Sequence, residues 1–136
     1  LWDNRFAGLV VDGVIAAAEI PGLRKFLDFC HDNKKTCAVN SAAPESEIVE
    51  ILKRRGLSGN FEMILGSPQS KADNLSELLE TLETNVENAV FFGDAVNDYE
   101  AAKQVNIDFI GINYHFDSKD FFPTFEDFDE FFAKIG

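Results

Sequence analysis

Basic residues, cysteines and long apolar runs are all scarce in this sequence. Lysine and arginine together number 12 against 24 aspartates and glutamates, which gives a net charge of −12 at pH 7. Because nucleic-acid phosphates and anionic membrane surfaces repel such a chain, we expect it to bind neither of them. No apolar run approaches the roughly 20 residues that a membrane-spanning helix needs. The sequence therefore predicts a protein that works in solution.

The two cysteines, Cys30 and Cys37, have no spacing typical of metal ligands, and His31 and His115 form no zinc pattern. The chain opens without a secretion signal, so we expect reduced cysteines and a cytoplasmic protein. It also opens at a leucine instead of a methionine, as a processed, trimmed or partial chain would. These features argue against a disulfide scaffold and a zinc site.

Apolar segments alternate between the spacing of strands and the spacing of helices. Short apolar runs predict strands at 36–39, 61–65, 89–92 and 108–112. Helical spacing and helix-end signals predict helices after Pro21-Gly22, from Pro44 to Gly56, over 73–82 and over 98–105, and the tail reads as a short strand with a closing helix. The chain therefore repeats strand, helix, strand, helix throughout.

Short strands that are apolar on both faces are typical of a parallel sheet that is covered on both sides. The predicted fold class is accordingly α/β, a three-layer α/β/α sandwich with a mainly parallel, Rossmann-like sheet. In such sheets ligands bind beyond the carboxyl ends of the strands. The candidate site residues should therefore stand just after the predicted strands.

Polar residues with phosphate and metal chemistry follow these strands. Asn40 and Ser41 follow the first run, Lys71 precedes the leucine-rich helix, and Asp94 and Asp98 follow the run AVFF. Each has a plain structural alternative: Ser41 could cap a turn, Lys71 could be a solvated loop residue, and Asp98 could cap a helix. Together they predict a phosphate and magnesium site, because carboxylates suit Mg²⁺ and an ammonium suits phosphoryl oxygens.

At these residues the chain resembles the haloacid dehalogenase superfamily of aspartate-nucleophile phosphohydrolases. The resemblance rests on a strand-ending serine in AVNSAAPESE, a lysine in GSPQSKADNL and the acidic loop GDAVNDYEAA, in that order. It covers about residues 20–115, and the acidic loop is its most specific part. The chain looks most similar to the branch with a helical cap, and the resemblance implies the three-layer core predicted above.

The resemblance also implies roles. Ser41, with Asn40 beside it, would bind the phosphoryl group, and Lys71 would bind phosphate and act in catalysis by offsetting negative charge. Asp94 would hold Mg²⁺, and Asp98 would complete or orient the metal's ligands. With only these two carboxylates, we expect weak Mg²⁺ binding. Family members attack phosphorus with an aspartate and then hydrolyse the aspartyl phosphate.

The family's first motif, an apolar strand that ends in Asp-x-Asp, is not found in this sequence. One interpretation makes residues 1–20 the remnant of a cap helix and its linker, ahead of a core domain over 21–136. Phe6, Val10, Val14 and Ala17 stand at helical spacing, which supports it. The core would then lack its central strand. Either a partner chain, as in a homodimer, or residues 7–15 themselves could fill the gap.

The other interpretation makes GLVVDGVI a degenerate first strand, which the β-branched run supports. Asp12 would then stand at the acid/base position and Val10 where the nucleophile belongs. Both interpretations leave the chain without a nucleophile.

The sequence thus predicts a phosphohydrolase core that uses Mg²⁺ and binds a small phosphorylated metabolite, incomplete or inactive as given. We expect it to hydrolyse phosphomonoesters far more slowly than a complete family member. Two alternatives remain open: a non-catalytic metal- or phosphate-binding domain on the same fold, and a receiver-type signalling module.

Overall fold

A computed structural model describes residues 6–135 of the chain. The strands are β1 (Gly8–Asp12), β2 (Thr36–Pro44), β3 (Met63–Ser67), β4 (Ala89–Gly93), β5 (Asp108–Ile112) and β6 (Thr124–Phe125). The helices are α1 (Gly13–Ala17), α2 (Leu23–Asp32), α3 (Glu45–Arg54), α4 (Lys71–Thr81), α5 (Val96–Val105) and α6 (Phe128–Ile135). None of the helices described is long and apolar enough to cross a membrane.

The six strands form one sheet in the order β3-β2-β1-β4-β5-β6. Every pairing between neighbouring strands is parallel. The chain leaves β1 toward β2 and β3 on one side, then returns past β1 to β4, β5 and β6 on the other. This confirms the predicted α/β fold with a parallel sheet, and it places a reversal of strand order beside β1.

The cap-helix interpretation of the first residues is wrong for the part that the structure describes. Residues Gly8–Asp12 form β1, and only Gly13–Ala17 are helical; residues 1–5 lie outside the described part. Helical spacing misled because β1 is buried on both faces, so apolar residues occur at nearly every position. Since β1 pairs with β2 and β4, this chain itself fills the centre of the sheet.

The other predicted elements are present, with shifted ends. The second strand continues to Pro44 through an irregularity in its pairing with β3, and the third begins at Met63 instead of Phe61. Helix α4 begins at Lys71, where the hydroxyl of Ser70 accepts a hydrogen bond from the N–H of Asp73 at 3.1 Å. Lys71 is therefore the first residue of a helix and not a loop residue.

Helices cover both faces of the sheet. On one face, residues of α1, α2, α3 and α6 join Leu9, Val11 and Phe92 in one apolar cluster. On the other face, α4 and α5 pack over a second cluster that contains Val10 and Phe91. Alternate residues of β1 and β4 thus enter opposite layers, as the period of a strand requires. The three layers hold the carboxyl ends of β1, β2 and β4 side by side.

Candidate active site

The candidate site lies at the carboxyl edge of the three central strands. Asp12 ends β1 and pairs in register with Asn40 of β2, and Asp94 follows Gly93 at the end of β4. Ser41 is the next residue of β2. The predicted phosphate and metal residues therefore meet at one edge, and they meet around an aspartate of β1.

Lys71 is the centre of the site. Its Nζ lies 2.7 Å from Oδ1 of Asp12 and 2.6 Å from Oδ1 of Asp98. It also donates to Oδ1 of Asn97 at 3.4 Å. The lysine side chain is 11% exposed, while Asp12 and Asp98 are 1% and 0% exposed. One ammonium thus links β1 to the first turn of α5 from its place at the start of α4.

Asp98 is held by groups on two sides. While Oδ1 faces Lys71, Oδ2 accepts hydrogen bonds from the backbone N–H groups of Asp94 at 3.1 Å and Ala95 at 3.2 Å. Gly93 is required here, because a Cβ at that position would overlap the Asp98 side chain. Asp98 therefore does cap the start of α5, as the plain structural alternative supposed, while it also faces the lysine.

Ser41 lies directly beside the turn that follows Asp12. A Cβ on Gly13 would overlap the Ser41 side chain, so the glycine lets the two backbones approach closely. The hydroxyl of Ser41 accepts a hydrogen bond from the N–H of Ala43 at 3.0 Å. Its turn-capping alternative is thus realised, and its hydrogen atom stays available to donate to a ligand.

A pair of hydrogen-bonded asparagines, Asn40 and Asn74, holds the backbone of Lys71 in place. Asn40 donates to the backbone carbonyl of Lys71 at 2.9 Å, and its own Oδ1 accepts from Asn74 at 3.0 Å. Asn74 also donates to the carbonyl of Gly66 at 3.3 Å, which ties β2, β3 and α4 together. Asn40 therefore supports the lysine through its backbone, and the described contacts do not point its amide at a ligand.

Three carboxylates lie close enough together to bind one divalent cation. One oxygen from each of Asp12, Asp94 and Asp98 lies within 4.8 Å of the others. Burial is the main cause that raises the pKa of Asp94, and repulsion from Asp12 is the second. The same two causes raise the pKa of Asp98 to about 8. Burial disfavours the charge of Lys71, but the carboxylates of Asp12 and Asp98 outweigh it and raise the lysine pKa. The donor set is all oxygen, which suits a hard cation.

Asp12 supplies a third carboxylate that the sequence interpretation did not count among the metal ligands. Its Oδ2 accepts a hydrogen bond from the N–H of Val14 at 2.8 Å, so it also caps α1. Val10, where the sequence placed the missing nucleophile, lies in the apolar cluster under α4 and α5. The carboxylate at the sheet edge is therefore that of Asp12, two residues further along β1.

Two further site residues escaped the sequence interpretation. Asn74 carries no motif of its own, although a polar residue three positions after Lys71 on a helix faces the same side as the lysine. Asn97 stands inside the acidic loop between Asp94 and Asp98. For Asp12 a signal existed, because an aspartate ended a β-branched run, but helical spacing competed with it.

A second concave region lies away from these carboxylates. A cavity of about 510 Å³ has an aromatic lining that includes Tyr99, Phe109 and Phe122. It also touches Asp108, the first residue of β5, and Val90, near the start of β4. The amino ends of these strands thus line the cavity, whereas the charged cluster stands at their carboxyl ends.

Comparison with known proteins agrees with this geometry. The chain is 33% identical over 97 residues to a phosphoglycolate phosphatase of Psychrobacter arcticus, a match that spans 65% of this chain and 42% of that protein. The chain therefore spans less than half the length of this curated relative.

Solved structures share the fold. A haloacid dehalogenase-like hydrolase from Streptococcus pneumoniae superposes with a TM-score of 0.79 at 13% identity, covering 98% of this chain and 100% of that one. The core domain of a protein from Streptococcus pneumoniae TIGR4 gives a TM-score of 0.75 at 18% identity, with 95% and 94% covered. Identities this low establish the fold alone.

The sequence profile of one family matches most of the chain. The family is described as haloacid dehalogenase-like hydrolase, and the match runs over residues 14–112, from α1 to the end of β5. It contains Ser41, Lys71, Asp94 and Asp98. On its sequence, its fold and the arrangement of these side chains, the chain belongs to the haloacid dehalogenase-like hydrolases.

Proposed function

We propose that this chain is the core of a Mg²⁺-dependent phosphohydrolase that binds a small phosphorylated metabolite at the carboxyl edge of β1, β2 and β4. The observation that carries the proposal is the placement of Lys71 between two buried carboxylates, with Asp94 beside them. The family match and the phosphatase activity named for the Psychrobacter arcticus relative support it.

The charges of the site favour a cation first and a phosphate second. When all three carboxylates are ionised, they and the one ammonium carry a formal charge of −2. A divalent cation would cancel that charge, with Asp94 and Asp12 as ligands and Asp98 completing or orienting the set. A bound Mg²⁺ would offset negative charge on phosphoryl oxygens. Lys71 and the hydroxyl of Ser41 would then bind those oxygens.

We assign the attacking carboxylate to Asp12. It ends the central strand and contacts Lys71, and the next residue, Gly13, packs against Ser41. Val10, by contrast, lies in the apolar core. Ser41 hydrogen-bonds to a backbone N–H and has no described base beside it, so its hydroxyl is a poor nucleophile. We expect slow turnover all the same, because Val14, two residues after Asp12, has a side chain that cannot take or give a proton.

Calorimetric titration with Mg²⁺, and then with orthophosphate in saturating Mg²⁺, tests the proposal. We expect Mg²⁺ to bind and orthophosphate to bind only when Mg²⁺ is present. Asp94→Asn should weaken Mg²⁺ binding at least about tenfold, a loss of about 1.4 kcal/mol. Asp28→Asn, which removes the same charge from an exposed position of α2, is the control and should bind like the wild type.

Two results would contradict the proposal. One is Mg²⁺ binding that is equal in Asp94→Asn and in the wild type, which would place the cation elsewhere. The other is orthophosphate binding that Lys71→Met leaves unchanged, since Lys71 is the ammonium at the site.

A further inference from the structure

The groups around Asp12 suit the acceptance of a phosphoryl group better than its release to water. We propose that Asp12 keeps the phosphoryl group as a long-lived aspartyl phosphate. We also propose that its donors are acyl phosphates and other phosphoryl compounds whose leaving group departs as a stable anion. This inference rests on the proposed function and adds the substrate class and the slow step.

Acceptance is supported by the contacts of Asp12. Lys71 donates a hydrogen bond to Oδ1 of Asp12 at 2.7 Å, so a positive charge lies directly beside the attacking group. The N–H of Val14 donates to Oδ2 at 2.8 Å and fixes the orientation of the carboxylate plane. Each carboxylate oxygen retains a second lone pair, so both contacts can persist while one oxygen attacks phosphorus.

Release lacks a free carboxylate or imidazole beside Asp12 that could take a proton from water. Among the described residues, Asp98 is 0% exposed and both of its oxygens are engaged, one by Lys71 and one by two backbone N–H groups. Asp94 is assigned to the cation. Val14, whose N–H contacts Asp12 and whose side chain is 59% exposed, offers only methyl groups. No carboxyl or imidazole of the described residues is left to serve as general acid or base beside Asp12.

The two steps show where this absence matters. In the first, an oxygen of Asp12 attacks phosphorus, the Asp12–phosphorus bond forms, and the bond to the leaving group breaks, with its electron pair on the leaving oxygen. An alkoxide would need a proton at that moment, but a carboxylate or a nitrophenolate would not. In the second, water attacks phosphorus, loses a proton and frees the Asp12 carboxylate. Without a base to take that proton, this second step is slow.

The experiment uses the whole chain with acetyl phosphate and Mg²⁺, followed by intact-protein mass spectrometry. We expect one added phosphoryl group that maps to Asp12, that is absent from Asp12→Asn and that decays slowly once the donor is removed. The donor 4-nitrophenyl phosphate should give a burst of nitrophenolate that matches the amount of protein, and a simple alkyl phosphate should give little product.

Val14→Asp tests the cause of the slow step. The new carboxylate would stand on an exposed position two residues after Asp12, so the fold should tolerate it. A general base contributes about 10²- to 10⁴-fold, so we expect the adduct to decay at least about 10²-fold faster and steady turnover to rise accordingly. Val14→Asn has nearly the same shape but no base, and it should behave like the wild type.

Each remaining outcome counts against one proposal or the other. If Mg²⁺ and orthophosphate bind as proposed but no adduct forms, this inference fails while the proposed function stands. An adduct on another residue, or one that decays equally fast in the wild type and in Val14→Asp, also overturns the inference. If neither ligand binds and no adduct forms, the proposed function fails with it.

Discussion

The ammonium of Lys71 lies 2.6 Å from the carboxylate of Asp98, and Asp98 is 0% exposed. The two residues belong to the first turns of α4 and α5, which lie on the same face of the sheet. Their contact, with a second one to Asp12, joins three parts of the chain that are far apart in sequence. Stability and ligand binding should therefore both respond to changes at this contact.

Replacing the lysine should destabilise the protein strongly. Lys71→Met leaves two carboxylates in a nearly solvent-free position without a cation, and breaking a buried pair in this way costs about 3–5 kcal/mol. Saturating Mg²⁺ should recover part of the loss, because the cation offsets the same charges. Urea unfolding with and without Mg²⁺ measures both effects.

The control for this prediction is the exposed ion pair between Lys103 and Asp120, whose side chains are 65% and 47% exposed. Lys103→Met should lower the free energy of unfolding by less than about 1 kcal/mol, with no dependence on Mg²⁺. Equal losses in the two variants would contradict the idea that burial makes the Lys71 contacts important.

Stability without a cation should fall as the pH rises. The folded-state pKa of Asp98 is raised from 3.8 to about 8, and that of Asp94 is raised as well, so the folded chain binds more protons than the unfolded chain in this range. The free energy of unfolding then decreases from about pH 4 to about pH 8, with a slope of up to about 1.4 kcal/mol per pH unit for one such group.

Saturating Mg²⁺ should flatten this pH dependence, because the bound cation favours the ionised carboxylates in the folded state. Urea unfolding at several pH values, in chelator and in Mg²⁺, provides the comparison. The prediction is contradicted if the free energy of unfolding in chelator rises from pH 5 to pH 8 and follows the same pH dependence as in Mg²⁺. Ionisation of these carboxylates would then not destabilise the folded chain.

The asparagine pair, Asn40 and Asn74, is buried and should contribute to stability. Asn74→Ala leaves the Oδ1 of Asn40 without its donor in the interior, which costs about 1–3 kcal/mol. Because Asn40 holds the backbone of Lys71, orthophosphate binding should weaken too. Asn85→Ala is the control, since Asn85 is exposed and makes no capping hydrogen bond with its side chain.

The two asparagines predict a joint effect that a double-mutant cycle can measure. If the loss in Asn74→Ala arises from Asn40, then adding Asn40→Ala should cost less than it does alone. Additive losses would indicate that the two side chains act independently.

Gly93 should not tolerate a side chain. Its Cβ would overlap Asp98, so Gly93→Ala should cost about 1–3 kcal/mol and weaken Mg²⁺ binding by displacing that carboxylate. At Gly59 a Cβ would meet no atom within 4 Å, so Gly59→Ala should be nearly neutral. Thermal unfolding and Mg²⁺ titration of the two variants distinguish crowding at the site from a general effect of replacing glycine.

Much of the fold could be predicted because strands that are buried on both faces appear in the sequence as short, continuous apolar runs. The runs TCAV, AVFF and DFIGI are short and apolar, and each became a strand of the parallel sheet. The same logic brought Ser41, Lys71, Asp94 and Asp98 to one edge. Ends of elements were harder, since an irregular pairing such as the one between Asn40 and Pro44 depends on the neighbouring strand.

The first strand and its aspartate show what sequence alone could not decide. In a strand that is buried on both faces, apolar residues fill consecutive positions, and some of them always fall at helical spacing, as Phe6, Val10 and Val14 do. Only the neighbours β2 and β4 resolve this ambiguity. The pairing with Asn40 then places Asp12 at the carboxyl edge of the sheet. Its catalytic role, acid/base in the motif comparison and nucleophile in our proposal, stays a prediction.

The central claim is that the carboxyl edge of β1, β2 and β4 binds Mg²⁺ and phosphate, and amide chemical shifts test it most directly. We predict that Mg²⁺ followed by orthophosphate shifts chiefly the amides of Asp12–Val14, Ser41–Ala43 and Asp94–Ala95. The aromatic cavity beside Tyr99, Phe109 and Phe122 should be unaffected. Shifts that centre on that cavity, or an edge that responds to neither ligand at millimolar concentration, would contradict the account.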